Sequence, residues 1–533
     1  MNFKTTQTKL LLFISIFFVL FFNISFFEKT FKVYPILSVR FFFVISLSVV
    51  LISFINILLN LVRSKYTTKP VIISLLFFSS LAAYVMDSYG VVLDDNMFLN
   101  VFNTDGHEAL DLLSFRLFLY LVFLCIVPSF IILKTKISEF SLKDELISRS
   151  KTILFSFLLI TTLLFSFGKN YASFFREQKT LRYYTNPTYY IYSIGKYVSS
   201  FYGNTSGLID PIGLNAVIHG SGKKRQLIIF VVGETARRDH FSLNGYAKDT
   251  NPYLKKENVV SFNNMTSCGT STAISVPCIF SNLGRSKFSN EKAATTENLL
   301  DVLSHTKKIN ILWRDNNSNS KGVAARVPYE DFKQPPNNTI CDPECRDVGM
   351  LVGLQGYIDQ KKEGNIFIIL HQMGNHGPAY YKRYPVAFEK FKPVCKTNEL
   401  EKCSNEEINN AYDNATLYTD FFLSKVIGLL KENSNNFGTS MFYVSDHGES
   451  LGEKGIYLHS LPYFMAPDEQ KNVAAVLWMG GDLAKRTNYE LLRKKSQLPY
   501  SHDNVFHTFL GLMDVQTPEF NRDLYILDGV IKK

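Results

Sequence analysis

The sequence lacks the marks of a nucleic-acid-binding protein and of a cysteine-ligated zinc protein. It contains no nucleic-acid motif, no internal repeat and no two C-x-x-C pairs of the kind that hold structural zinc. Its formal net charge is nonetheless +10, so an anionic partner is expected. Because the N-terminal part is rich in long apolar runs, an anionic lipid or a phosphorylated glycolipid fits this charge better than nucleic acid does.

Phenylalanine accounts for 46 of the 533 residues and is concentrated toward the N-terminus. There it contributes to five apolar runs, each about long enough to cross a hydrocarbon core of about 30 Å. The first run lacks a convincing small-residue cleavage site, so we interpret it as a membrane helix and not as a signal peptide. A chain with four or six spans is the alternative. The five runs cover roughly residues 10–27, 36–62, 70–86, 117–133 and 152–167.

The charges that flank these runs predict how the chain crosses the membrane. Lysines and arginines lie before the first run and after the second and the fourth, whereas the loop after the third run is acidic. The positive-inside rule then places the N-terminus in the cytoplasm and everything after residue 167 outside. We expect a transmembrane domain at 1–168, an interfacial helix and linker at 169–225, and a soluble domain at 226–533.

The soluble part alternates short apolar runs with longer polar, periodic segments. That alternation predicts an α/β domain with helices on both faces of a mainly parallel sheet. The candidate strands are residues 227–232, 310–313, 365–370, 441–444 and 473–479. The candidate helices are residues 296–305, 348–360, 407–430 and 504–512.

Carboxylates and an imidazole follow two of the predicted strands. Glu234 comes just after the first strand, and Asp446 and His447 come just after the fourth. Zinc prefers tetrahedral nitrogen and oxygen ligands, and Thr270, in a small polar segment between two cysteines, could supply a fourth oxygen. A metal-bound hydroxyl can become a nucleophile near neutral pH. Taken singly, each residue also fits a plain structural role as a helix cap or a core histidine.

Six of the seven cysteines fall in close pairs in the soluble part, whereas Cys125 lies alone in an apolar run. The six can pair in many ways, and sequential pairing is the simplest of them. Disulfides form in an oxidising compartment, which agrees with the outside location that the flanking charges predict.

Five segments of the chain resemble the phosphoethanolamine–lipid A transferases, a family that includes the mobile colistin-resistance enzymes. They are GETARRDHFSLNGY, SCGTSTAISVPC, WRDNNSNSKG, HQMGNHGPAYYKRYP and VSDHGESLGEKGIYLHSLPY. The resemblance implies a five-helix transmembrane domain followed by an α/β domain of the alkaline-phosphatase/sulfatase-like fold. The C-x-P-x-R motif of the sulfatases is absent, which argues against sulfate-ester hydrolysis. The disulfides that the resemblance implies are Cys268–Cys278, Cys341–Cys345 and Cys395–Cys403.

The same resemblance assigns roles to individual residues. It identifies Thr270 as the nucleophile as well as a zinc ligand beside Glu234, Asp446 and His447. It places the Lys321 ammonium on phosphate oxygens, where a flexible solvated loop is the alternative. Of the ten histidines, it assigns two to the phosphoethanolamine group or to a second zinc ion, and one of these could also act as a proton donor. Those histidines are His376 and His459, and His371 lies nearby as a further residue expected to bind the substrate.

Two further predictions concern the acidic loop and His502. In the acidic loop after the third run, side chains at intervals of four residues share one helix face and could bind the donor lipid, although a solvated helix face explains the spacing equally well. His502 matches a family position without an evident role. The loop residues are Asn100, Thr104 and Glu108.

Together these features predict a zinc-dependent phosphoethanolamine transferase with one or two zinc ions, in the bacterial inner membrane, with its catalytic domain in the periplasm. Phosphatidylethanolamine would be the donor and lipid A of lipopolysaccharide the acceptor, and the product would confer resistance to polymyxins. We expect a monomer that contacts membrane lipids and no nucleic acid. The alternatives are a different acceptor such as an inner-core sugar, a phosphatase or phosphodiesterase of the same superfamily, and a non-catalytic membrane protein with a structural zinc.

Overall fold

The computed structural model describes residues 4–35, 41–103, 111–138, 141–202, 209–218, 224–342 and 344–532. The chain divides into two compact units. The first comprises the residues up to Phe98 together with Leu113–Ser199, and the second comprises Leu99–Leu112 together with the chain from Ser200 onward. The domain bounds 1–168, 169–225 and 226–533 stay a prediction.

The N-terminal part of the chain is helical, because its apolar runs contain few residues that break a helix. Its helices are α1 Gln7–Phe21, α2 Ile24–Val33, α3 Phe41–Leu61, α4 Thr68–Tyr89, α5 Asp95–Asn103, α6 Phe115–Tyr120, α7 Val127–Lys134, α8 Leu142–Ser166, α9 Gly168–Glu177 and α10 Thr188–Tyr202. A π-helical segment, Leu121–Ile126, joins α6 to α7. Two short strands, β1 Lys4–Thr5 and β2 Lys136–Ile137, pair in parallel.

Among the described residues, four helical segments are long and apolar enough to cross a membrane, namely α3, α4, Phe115–Lys134 and α8. A fifth candidate is the pair α1 and α2, which is bent by 59°. The first predicted span, 10–27, is therefore not one straight helix. The bend lies at Asn23, whose amide nitrogen donates to Phe18 O at 2.9 Å and to Asn186 O at 2.7 Å, so a side chain replaces the regular helix bonding there.

The second unit is built on a seven-stranded sheet. Its strands are ordered β5 Val260–Ser261, β14 Ala475–Gly480, β10 Gly438–Ser445, β4 Gln226–Gly233, β9 Asn365–His371, β7 Ile309–Asp315 and β8 Tyr329–Asp331. Strands β10, β4, β9, β7 and β8 run parallel, and β14 and β5 continue the sheet in antiparallel pairs. The shorter strands are β3 Val217–Ile218, β6 Met265–Thr266, β11 Ser450–Leu451, β12 Tyr457–Leu458, β13 Asn472–Val473, β15 Tyr500–Ser501 and β16 Val515–Gln516.

Helices cover both faces of this sheet. They are α11 Thr272–Ile279, α12 Asn290–Thr295, α13 Leu299–His305, α14 Leu354–Gln360, α15 Asn405–Asn433, α16 Gly481–Arg486, α17 Tyr489–Lys495 and α18 Asp503–Leu512. Strand β4 is buried along its whole length, and successive side chains enter two separate apolar cores. Because side chains of a strand alternate between faces, a fully apolar run is what a central strand covered on both sides requires. The predicted α/β class is confirmed.

One predicted helix is divided in the structure. The segment 348–360 forms a 3-10 turn at Asp347–Leu351 and then α14, and Gly353 separates them. Gly353 has a φ of 70°, a left-handed conformation that ends one helical segment and that glycine adopts without strain.

Candidate active site

Neighbouring strands deliver functional groups to one edge of the sheet. Strands β10 and β4 are parallel and adjacent, so their carboxyl ends meet at that edge. Ser445, the last residue of β10, is in register with Gly233, the last residue of β4. The residues that follow, Asp446 and Glu234, therefore lie side by side although more than two hundred positions separate them in the sequence.

Glu234, Asp446 and His447 form a group that could hold a metal ion. Their ligand atoms all lie within 4.8 Å of one another. His447 Nε2 is 3.4 Å from Glu234 Oε1 and 3.3 Å from Asp446 Oδ2. All three side chains are fully buried. The structure thus brings together the three ligands predicted from two separate strand ends.

The hydrogen bonds around this group fit a cation. His447 Nδ1 donates to Gly448 O at 2.9 Å, and burial lowers the pKa of His447, so the neutral ring presents a lone pair at Nε2. Asp446 Oδ1 accepts from the backbone N–H of Thr235 and of His447, whereas Oδ2 is buried and accepts no hydrogen bond within the described part of the chain. Two carboxylates and a lone pair that converge in a buried site repel one another unless a cation lies between them. Imidazole nitrogen and carboxylate oxygen are typical zinc ligands.

The hydroxyl nearest to this group belongs to Thr272 and not to the predicted Thr270. Thr272 Oγ1 donates to Glu234 Oε2 at 3.2 Å and lies 3.3 Å from His447 Nε2. Thr270 instead donates through Oγ1 to Leu461 O at 2.6 Å, and its own carbonyl accepts from Ser460 N at 2.8 Å. These two bonds turn Thr270 toward the 460–461 segment. Thr272 is the first residue of α11, where free backbone N–H groups favour a phosphate.

His502 and a disulfide hold the hydroxyl-bearing segment against β10. Cys268 and Cys278 are bonded, which joins the start of this segment to the last turn of α11. His502 Nδ1 accepts from Cys268 N at 3.1 Å, and its Nε2 donates to Ser445 O at 3.0 Å. Burial lowers the pKa of His502 to about 4, so the ring stays neutral and can make both bonds at once. The structure thus suggests a bridging role for a residue whose role was open.

Asn317 orients Glu234, and the sequence analysis had not singled it out. Its Nδ2 donates to Glu234 Oε2 at 2.7 Å and to Gln372 O at 2.9 Å. Asn317 is held in turn by Asp315, whose Oδ1 accepts from Asn317 N at 2.9 Å. The available signal was the polar run that follows a predicted strand, in which only Lys321 was assigned a role.

His371 belongs to the support of that loop. Its Nδ1 lies 2.9 Å from Asp315 Oδ2, which also accepts from Trp313 Nε1 at 2.8 Å. Both members of the His371–Asp315 pair are fully buried. This carboxylate–histidine pair therefore fixes the end of β7 against the end of β9, beside the metal-ligand group and outside it.

His459 and His376 extend the site on the other side of His447. The ring centroids of His447 and His459 are 4.3 Å apart, and those of His459 and His376 are 5.7 Å apart. Burial lowers the pKa of His459 to about 4 and the pKa of His376 well below its usual value, so both rings are neutral. His459 Nδ1 lies 3.2 Å from Glu449 Oε1, and burial raises the pKa of Glu449 well above its usual value. Glu449 is a second residue that the sequence analysis missed.

Lys321 lies in the same loop as Asn317, four residues further on. Its Nζ donates to Ser318 Oγ at 2.7 Å and to Ser318 O at 3.0 Å, and its side chain is partly exposed. Lys321 also lines a cleft of about 470 Å³ that runs past Ala273 and Pro277 of α11. Its ammonium is thus near the helix that carries Thr272, as a phosphate-binding group would have to be.

Of the three candidates in the acidic loop, the structure places one. Asn100 Nδ2 donates to Ser460 Oγ at 2.7 Å, next to His459. Thr104 and Glu108 lie outside the described residues. The three disulfides that the resemblance implied, Cys268–Cys278, Cys341–Cys345 and Cys395–Cys403, are all present.

Comparison with known proteins covers nearly the whole chain. Residues 226–515 match the sulfatase family model, and residues 51–202 match the model described as phosphoethanolamine transferase EptA/EptB. The chain is 43% identical to phosphatidylethanolamine transferase Mcr-2 of Escherichia coli, over 92% of each protein. It is 40% identical to phosphoethanolamine transferase EptA of Escherichia coli K12, over 93% of this chain and 92% of that protein. The solved structure of lipooligosaccharide phosphoethanolamine transferase A from Neisseria meningitidis matches with a TM-score of 0.95, 31% identity and full coverage of both chains. The chain therefore belongs to the phosphoethanolamine transferase family.

Proposed function

We propose that this protein transfers phosphoethanolamine from phosphatidylethanolamine to a phosphate of lipid A through a covalent intermediate on Thr272. The main observation in support is that the Thr272 hydroxyl lies within hydrogen-bond distance of both Glu234 and His447, in the buried metal-ligand group. The 43% identity to phosphatidylethanolamine transferase Mcr-2 supports the donor. The lipid A acceptor agrees with the formal net charge of +10, because lipid A is anionic.

Glu234, Asp446 and His447 would hold a zinc ion. Bound there, zinc would supply positive charge that lowers the pKa of a neighbouring hydroxyl. Thr272 Oγ1 donates to Glu234 Oε2, so its proton has an acceptor as the oxygen approaches phosphorus. Asn317 fixes that carboxylate by donating to the same Oε2 atom. His376 and His459 could bind either a second ion or the head group, so the site would take one zinc ion or two.

The transfer takes two displacements. In the first, Thr272 Oγ1 forms a bond to the phosphorus of phosphatidylethanolamine, the bond to the diacylglycerol oxygen breaks, and that oxygen takes up the proton that Thr272 loses. In the second, an oxygen of a lipid A phosphate forms a bond to the same phosphorus, the bond from Thr272 Oγ1 to phosphorus breaks, and Thr272 takes up the proton that the attacking phosphate gives up. The backbone N–H groups at the start of α11 and the Lys321 ammonium would bind the phosphoryl oxygens. His376 and His459, both neutral, would line the place of the ethanolamine group.

We further propose that the catalytic domain, at about 226–533, lies in the periplasm, on the outer face of the bacterial inner membrane. The distribution of lysine and arginine around the apolar helices supports a cytoplasmic N-terminus. Three disulfides in the second unit support an oxidising compartment. Modification of lipid A with ethanolamine would mask its negative charge, and polymyxin resistance would follow from that.

Intact mass spectrometry after exposure to phosphatidylethanolamine tests the proposal. The full chain in detergent should gain the mass of one phosphoethanolamine group, and Thr270→Ala should gain it as well. Thr272→Ala should gain none while keeping its fold and its disulfides. An adduct on Thr272→Ala and none on Thr270→Ala would return the nucleophile to Thr270. No adduct on the unsubstituted chain, with diacylglycerol still released, would mean direct transfer or hydrolysis.

The acceptor is tested in a second step with the loaded protein. Purified lipid A should remove the phosphoethanolamine group and become heavier by the same mass. Transfer to an inner-core sugar and none to lipid A would overturn the acceptor part of the proposal. Loss of the group to water at an undiminished rate in the absence of any acceptor would favour a phosphodiesterase.

A further inference from the structure

Arg383 is a buried cation that the proposed mechanism does not use. Its side chain is 2% exposed, and each part of its guanidinium has a partner. Nε donates to His376 O at 2.6 Å, Nη1 donates to Glu344 Oε1 at 2.5 Å, and Nη2 donates to Asp111 Oδ2 at 2.8 Å. A planar guanidinium with three fixed acceptors sets the relative position of the groups that accept from it.

Asp111 is the far end of this network and is held from several sides. Its carboxylate also accepts from Lys382 Nζ at 2.5 Å, and its backbone carbonyl accepts from Asn398 Nδ2 at 2.5 Å. The Asp111 side chain is only 7% exposed. Two cations, Arg383 and Lys382, thus meet two carboxylates, Asp111 and Glu344, so the charges balance inside the fold.

Two small disulfide loops supply parts of this network. Glu344 lies between Cys341 and Cys345, and Asn398 lies between Cys395 and Cys403. Closed loops of this size leave the backbone few conformations, so the groups that they present are held in place. The two disulfides that are remote from Thr272 thereby acquire a common role in seating Asp111.

The network ends at the histidines of the site. Arg383 binds the backbone carbonyl of His376, whose ring is 5.7 Å from that of His459. Asn100, in the same unit as Asp111, donates through Nδ2 to Ser460 Oγ, next to His459. Asp111 is therefore connected through Arg383 to the His376 loop, and Asn100 is bonded to the His459 loop. Buried ion pairs often add little to stability compared with apolar replacements, so a geometric role is the better explanation for this one.

We propose that Arg383 is a positioning residue that ties the backbone of His376 to Asp111, so that Asp111 and the His376 loop form one wall of the donor-lipid site. The inference rests on the proposed function for the identity of the donor. According to this inference, the wall contacts the phospholipid that loads Thr272, and the metal-ligand group does not depend on Arg383.

The matched pair Arg383 and Lys382 allows a controlled test. Both cations bind Asp111, and Arg383 in addition donates to the backbone carbonyl of His376. We would measure the initial rate of phosphoethanolamine loading by intact mass, in detergent micelles of increasing phosphatidylethanolamine content, together with zinc content and Tm. The variants are Asp111→Asn, Arg383→Lys and Lys382→Gln in the full chain.

Asp111→Asn and Arg383→Lys should each raise the half-saturating donor concentration about tenfold, with zinc content unchanged, because misplaced binding groups weaken capture of the substrate. Their double variant should be no worse than the worse single variant, since both break one connection. Lys382→Gln should change the value less than about threefold, because an ion pair with a half-exposed lysine is worth little. Asp111→Glu keeps a carboxylate, so its loading should lie between that of Asp111→Asn and that of the unsubstituted chain.

Unchanged half-saturation in Asp111→Asn and Arg383→Lys would overturn the inference. So would a parallel fall in zinc content and Tm, because that would reveal a purely structural role. If Arg383→Lys does not fold, Asp111→Asn decides the matter alone. An unsubstituted chain that never loads phosphoethanolamine would instead refute the proposed function, and the inference would fall with it.

Discussion

Replacing Asn317 by alanine should weaken binding of the proposed zinc ion. Asn317 Nδ2 donates to Glu234 Oε2 at 2.7 Å in a fully buried site. A buried hydrogen bond to a charged group contributes roughly 1.5–3 kcal/mol. Loss of a residue that orients a metal ligand typically costs about 10- to 100-fold in metal affinity, which corresponds to about 1.4–2.7 kcal/mol. The two magnitudes agree, so we expect the zinc Kd of Asn317→Ala to rise by about 10- to 100-fold.

Competition with a chromophoric chelator of known affinity would measure that Kd. The control is Asn375→Ala, which removes a second buried amide of the same site. Asn375 Nδ2 donates to Thr416 Oγ1 at 2.7 Å, and the bond that joins Asn375 to Glu234 runs between backbone groups, from Asn375 N to Glu234 O. Both variants should lose similar stability, because each loses one buried side-chain amide. Only Asn317→Ala should lose zinc affinity.

An unchanged zinc Kd in a folded Asn317→Ala variant would refute this reasoning, because Glu234 would then be oriented without Asn317. Equal losses in the two variants would also refute it. In that case general loosening of the site, and not the bond to Glu234, would control the affinity. The comparison needs no turnover, so it holds whichever acceptor the enzyme uses.

Three further predictions concern residues that support the site. In chelator-treated protein, His502→Gln should remove the share of acid-induced stability loss that His502 causes, up to about 3 kcal/mol between pH 6.5 and 4. The native pKa of about 4 lies below the ordinary 6.5, so protonation of His502 favours the unfolded state as the pH falls. Urea unfolding at several pH values would detect the difference, and identical pH profiles of the variant and the unsubstituted protein would contradict it. Gly448→Ala should lower both the zinc content and the Tm, because its Cβ would lie 2.0 Å from Glu469 O and the neighbouring proposed ligand, His447, would have to move. A normal zinc content in this variant would show that the backbone can adapt. Tyr412→Phe should cost about 1–3 kcal/mol in denaturant unfolding, because its hydroxyl bonds two buried backbone groups of the loop after β4; unchanged stability would mean that other groups replace those bonds.

The strands and helices whose own residues show a clear apolar pattern could be predicted from the sequence. The apolar run Leu227–Val232 of β4, with side chains that enter two cores, is recognisable without knowledge of its neighbours. The bend between α1 and α2 was not predictable in the same way. It depends on Asn23 meeting Asn186, and a contact across more than one hundred and sixty positions leaves no local signature.

The site was predictable at strand ends and less so in loops. Glu234 and Asp446 follow directly from the parallel register of β4 and β10, because residues after neighbouring parallel strands must lie together. Thr270 and Thr272 differ by two positions in a segment rich in hydroxyls, and the side that each faces is set by contacts to the 460–461 segment and to Glu234. Asn317 stood in a run of similar polar residues, from which composition cannot select one.

The metal-ligand group is held by the sheet and the Thr272 hydroxyl by a few loop contacts, so the two should respond differently to substitution. The proposed metal ligands Glu234 and Asp446 inherit their positions from a sheet register fixed along eight residue pairs of β4 and β10, so a change to any one strand residue shifts them little. Thr272, by contrast, depends on one helix start, one disulfide and the bridge made by His502. Substitutions that disturb the hydroxyl should therefore be found in these few contacts. A protein that keeps its zinc but loses its covalent adduct is the expected signature of damage there, because the metal-ligand group and the nucleophile are held by separate parts of the fold.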